Sequence, residues 1–142
     1  MKLDIMKWLK NLFAKQKGPT TPYCIPEKRE LTLEERHLLG FLVEQTDTVT
    51  ARVDRVKVVA RCGCGECPTI LFGESLDDEP ITSRDSKIVA DWYGRAANGT
   101  LVGVTLFALN GKPTELEAWS IDGGEVETSP PIDALEPLAS LA

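Results

Sequence analysis

Two Asn-Gly dipeptides, Asn98-Gly99 and Asn110-Gly111, bracket the stretch TLVGVTLFAL. Asn-Gly favours the tight hairpin turns that need positive φ at both central residues, so each dipeptide marks a chain reversal. The residues between them are apolar on both faces, which predicts a strand central in a sheet. KIVADWYGRA before the first turn and KPTELEAWSID after the second read as its neighbours, and Asp122-Gly123-Gly124 ends the last strand. Upstream, VKVVARC alternates Val56, Val58, Ala60 and Cys62 against Lys57, Val59 and Arg61, a half-buried strand with Cys62 on its core face. PTILFGE resumes β character after a tight Gly-Cys-Gly-Glu connection, and ESLDDEPITSRDS reads as an acidic loop. Asp77, Asp78 and Glu79 in that loop lack the alternating oxygens and turn glycine of a calcium site.

LTLEERHLLGFLVEQ is the clearest helix. Thr32 is the expected N-cap, with Glu35 three residues on completing a capping box. Glu34 and Glu35 lie in the first turn, where the helix dipole favours negative charge. Leu31, Leu38, Leu39, Leu42 and Val43 share the face that should pack on a sheet. The expected fold class is therefore α+β: a capped helix followed by an antiparallel meander of about five strands. A separate amphipathic helix precedes it, with Ile5, Met6, Trp8, Leu9, Leu12 and Phe13 on one arc and lysines beside them. Three units are expected: residues 1–18 as that basic helix, 19–30 as a proline-rich linker, and 31–142 as the α+β domain. The proline-rich tail after Ser129 reads as a capping segment or a loose end.

Charge divides along the same lines. Residues 1–18 carry five lysines against Asp4, so the whole-chain charge of −6 leaves −10 for the remainder. An acidic body of that kind is a poor match for nucleic acid, whose phosphates need clustered Lys and Arg. It suits a soluble protein or one that docks a basic protein partner. The first helix could meet an anionic membrane through Ile5, Trp8, Leu9, Leu12 and Phe13, pack on its own domain or a second copy, or form a frayed terminus. No apolar run is long enough to span a bilayer, and Lys7, Lys10 and Asn11 interrupt any secretory signal. The expected location is the cytoplasm, peripheral to the inner membrane if that helix binds lipid.

Chemistry concentrates in Cys62-Gly63-Cys64-Gly65-Glu66-Cys67. Three thiols at a hairpin tip, with glycines that let the chain curl, resemble half of a zinc site, and Cys24 or His37 could supply the fourth ligand. Only Cys64 and Cys67 have the C-x2-C spacing of a knuckle. Burial as small apolar side chains and thiol–disulfide chemistry are the alternatives. A cysteine enzyme would need His37, the only histidine, as its histidine base, and sequence does not bring it to a thiol. No phosphate-cradling, HExxH or nucleophile-elbow motif is present.

LTLEERHLL, CGCGECPTI and NGKPTELEAWSIDGG together resemble small bacterial proteins of unknown function. That group has a capped helix, a Cys-Gly-Cys hairpin leading into Pro-Thr-Ile, and a late ELE…DG hairpin. The resemblance spans roughly residues 31–125 and implies a fold but no activity. Glu66 departs from the tighter Cys-Gly-Cys-Pro spacing of the group, which would disturb a metal site shared across it. The expected function is a non-enzymatic protein-interaction module, alone or as a homo-oligomer. A small structural-zinc protein is the alternative.

Overall fold

The computed structural model describes residues 24–81 and 85–141. Among these residues lies one antiparallel sheet of seven strands: β1 (Cys24–Glu30), β2 (Lys57–Cys62), β3 (Ile70–Gly73), β4 (Lys87–Arg95), β5 (Leu101–Leu109), β6 (Lys112–Ser120) and β7 (Glu136–Pro137). They lie in the order β1-β2-β3-β6-β5-β4-β7. The helix α1 (Leu33–Glu44) crosses one face. The five expected strands are all present, but a five-stranded meander is not their arrangement. β3 pairs with β6 rather than with β4, at Ile70↔Leu116 and Leu71↔Glu115.

Two further strands come from segments read as irregular. Residues 24–30, within the expected linker, form β1 and pair with β2. Pro26 is tolerated there because an edge strand can present its missing N–H outward. The tail supplies β7, whose Glu136 and Pro137 pair with Tyr93 and Trp92 on the other edge. The expected amphipathic helix over residues 1–18, with its membrane contact, lies outside the described residues. Among the described residues no helix is long and apolar enough to cross a membrane.

The turns follow the sequence chemistry. Asn110 and Gly111 both take positive φ, 52° and 80°, as the two-residue β5–β6 hairpin requires. Thr32 caps α1 by accepting from the Glu35 N–H, and the Glu35 carboxylate accepts from the Thr32 N–H at 2.9 Å. Arg29, reaching over from β1, grips that carboxylate with both terminal nitrogens at 2.7 and 2.9 Å. Leu38, Leu39 and Leu42 bury the inner face of the helix against Val58, Phe72, Val104 and Leu106.

Burial opposes ionisation of Glu35, but the bonds from Arg29 and Thr32 outweigh it and hold the carboxyl below its usual 4.5. A depressed carboxylate adds stability that is present above its unfolded pKa and disappears as pH falls through the folded value. Glu35→Gln is therefore expected to cost about 1 kcal/mol at neutral pH, since the group is partly solvated. In urea melts the wild type and the variant should converge as pH falls through the depressed folded-state pKa of Glu35, below the usual carboxylate range. A gap that persists in acid would mean the ion pair contributes nothing.

β2 contains the irregularity that positions the cysteines. Val58 pairs with Phe72, but Ala60 pairs with the adjacent Leu71, so β2 carries one extra residue at Val59. On the other side Val58 faces Arg29 while Ala60 faces Pro26, three residues away. Both neighbours therefore reverse phase at this bulge. Val58 and Phe72 stay on the helix side, and Ala60 and Cys62 turn to the opposite face. The expected core-side Cys62 is thus corrected: strict alternation fails at Val59.

Candidate metal centre

The cysteines sit where β2 ends and the chain turns toward β3. The Gly65 N–H donates to the Cys62 carbonyl at 3.1 Å, closing a turn over residues 62–65. Gly65 has φ of 75°, a conformation that favours glycine. One rung further in, the Cys62 N–H donates to the Thr69 carbonyl at 3.1 Å. The Thr69 hydroxyl then spans to β6, donating to the Ala118 carbonyl and accepting the Ala118 N–H at 3.0 Å. The hairpin tip is curled by glycine, and its base is clamped to the sheet.

This curl brings Cys62, Cys64 and Cys67 together, with all three sulfurs within 4.8 Å of one another. Zinc–thiolate bonds of about 2.3 Å place the sulfurs of a tetrahedral site roughly 3.8 Å apart. Three of the four expected sulfurs are thus close enough to hold a metal ion. None of the four cysteines is in a disulfide. Cys24 stands directly opposite Cys62 in the β1–β2 ladder, which puts their side chains on one face of the sheet, but its sulfur lies outside the group of three that converges. His37 lies exposed on α1 and is not part of the cluster.

The electrostatics of the three sulfurs differ. The Cys64 Sγ accepts from two backbone donors, the Cys67 N–H at 3.2 Å and the Glu66 N–H at 3.4 Å. These are the second and third residues after it, which is what the C-x2-C spacing supplies. Burial works against the Cys64 thiolate, yet the two N–H donors and the neighbouring thiols bring its pKa down to about 7 from 9.0. Cys62 is pushed the other way, to about 12, first by burial and then by serving as a donor to its neighbours. Cys64 is thus the sulfur better prepared as an anion, and Cys62 holds its proton more tightly.

Glu66 has a place in this geometry. It makes the spacing C-x2-C and brings a second backbone N–H onto Cys64, so a longer turn is compatible with three converging sulfurs. Asp78 of the acidic loop is engaged locally, accepting the N–H groups of Glu74 and Ser75 at 2.9 and 3.0 Å. A cleft of about 440 Å³ lies away from the cysteines, among Arg52, Arg55, Phe72, Glu74 and Lys112. Its cations include Arg52, paired with Asp54, and Lys112, paired with Glu74.

Sequence patterns do not disclose one further network. On the sheet face opposite α1, the Trp119 Nε1–H donates to the Thr105 hydroxyl at 3.0 Å, and Thr105 donates to the Asp91 carboxylate at 2.8 Å. The Trp119 indole packs directly against Gly103, its cross-strand partner. The only forewarning was a glycine in the middle of an apolar strand, which signals close approach of another group.

Compared with known proteins, the chain matches no family model, no curated protein and no solved structure.

Proposed function

We propose that this chain is a small structural-zinc protein, its metal held by Cys62, Cys64 and Cys67 with Cys24 completing the tetrahedron. The observation that carries this reading is the convergence of three sulfurs, one of which already accepts two backbone N–H donors. Zinc is the ion of choice because an all-thiolate, four-coordinate set suits a soft-tolerant cation without redox chemistry. A closed set leaves no position for substrate, so the metal has a structural role. It ties the β2–β3 tip to edge strand β1 through the Cys24–Cys62 rung. Its ligands must be deprotonated, so uptake releases protons and strengthens as pH rises toward the thiol range.

The test is metal uptake by the purified, reduced full-length chain. About one zinc per chain is expected after dialysis against zinc and removal of the excess. Cobalt(II) in its place should give thiolate charge-transfer absorption and the strong visible bands of tetrahedral coordination. A protein that retains no zinc and shows octahedral cobalt alone would remove the proposal.

A further inference from the structure

Cys62 belongs to two groupings at once, the three-sulfur cluster and the rung it forms with Cys24. Opposed residues of an antiparallel ladder keep their Cα atoms about 4.5–5.5 Å apart. A disulfide spans roughly 4.4–6.8 Å between Cα atoms, so either form of the rung falls within its reach. We infer that Cys24 and Cys62 form a disulfide when the metal-free site meets a peroxide, and that this bridge and the metal are mutually exclusive states of one site. The exclusion rests on the zinc reading above; the disulfide itself rests on the strand register.

The oxidation balances with hydrogen peroxide as the two-electron oxidant. One thiolate of the pair attacks a peroxide oxygen, the O–O bond breaks, and hydroxide leaves to become water on protonation. The sulfenic acid so formed is attacked by the second thiolate. The S–S bond forms as the S–O bond breaks, and hydroxide again leaves as water. Two thiols are oxidised and one peroxide is reduced to two waters. A disulfide sulfur no longer offers a metal the charge of a thiolate, so two of the four proposed ligands are withdrawn together.

The competing pair is Cys64 with Cys67, whose C-x2-C spacing also permits a bridge. Its sulfurs are differently placed. The Cys64 Sγ is held back against its own turn by the N–H groups of Glu66 and Cys67, and a bridge there gives up both bonds. Cys62 instead has its backbone fixed by the Thr69 rung on one side and faces β1 on the other. Oxidation thus fastens the edge strand β1 to β2 covalently, while metal fastens it by coordination.

The experiment is disulfide mapping of the full chain, stripped of metal while reduced, exposed to equimolar hydrogen peroxide, alkylated and digested without reductant. The expected product is a peptide pair linked through Cys24 and Cys62, lost in Cys24→Ser and retained when Cys64 and Cys67 are both replaced by serine. A main product linked through Cys64 and Cys67, or a scatter of pairings, overturns the inference. Zinc-loaded protein should oxidise at least about tenfold more slowly, because coordination occupies the thiolates, and the bridged form should bind no zinc. Equal oxidation rates, or a bridged form that still takes up zinc, overturn the exclusion. Mapping is done in metal-free protein, so a chain that never binds zinc defeats the zinc reading without touching the disulfide result.

Discussion

Replacing Gly103 by alanine is expected to destabilise the fold by about 3 kcal/mol, a fall in melting temperature on the order of 10 °C. A Cβ at this position would lie 2.3 Å from Cε2 and 2.5 Å from Nε1 of Trp119, closer than any real carbon contact. Flexible neighbours usually relieve such a clash. Trp119 is a rigid ring, almost wholly buried, with its N–H committed to Thr105 and that hydroxyl committed to Asp91. Moving the indole breaks the bond to Thr105; leaving it forces β5 and β6 apart. Adding Trp119→Val should make the alanine far better tolerated, with a coupling of at least about 1 kcal/mol in a double-mutant cycle. Urea denaturation of the four proteins measures this. Additive losses would show that the ring does not lie over Gly103.

The second large effect concerns the proposed zinc site. Cys64→Ser should lower zinc affinity by about a hundredfold or more. Structural zinc sites are worth roughly 10–16 kcal/mol in total, so one ligand of four accounts for several. The loss exceeds a simple ligand count because Cys64 is the sulfur whose anion the backbone already supports. His37→Ala should leave affinity unchanged, since His37 is exposed on α1, across the sheet from the face that carries Cys24 and Cys62. Competition titration against a chromophoric chelator reads both. Equal losses in the two variants, or none in Cys64→Ser, would place the metal elsewhere.

Much of the local structure was legible in the sequence because its causes are local. The Thr32–Glu35 capping box, the Asn110-Gly111 turn and the position of each central strand follow from a few neighbouring residues. The proximity of Cys64 and Cys67 follows from C-x2-C spacing in the same way. Pairing order did not, because nothing local says that β3 should meet β6 at Leu116 and Glu115 rather than follow on to β4. β1 was hidden because three prolines over residues 17–30 argue against strand in general, although Pro26 is acceptable at an edge. The opposition of Cys24 and Cys62 depends on that strand and stayed hidden with it. The Trp119–Thr105–Asp91 chain is likewise a product of register across β4, β5 and β6.

The extra residue at Val59 turns the position of the sulfurs into a matter of parity. Between this point and Cys62, losing or gaining one residue would exchange the two faces of the strand and send the thiols under the helix. Gaining or losing two would shift the tip along the strand and leave its facing intact. Chain-length changes here should therefore be tolerated in even steps over the course of descent, and odd ones only where a second odd change elsewhere in the strand cancels the first.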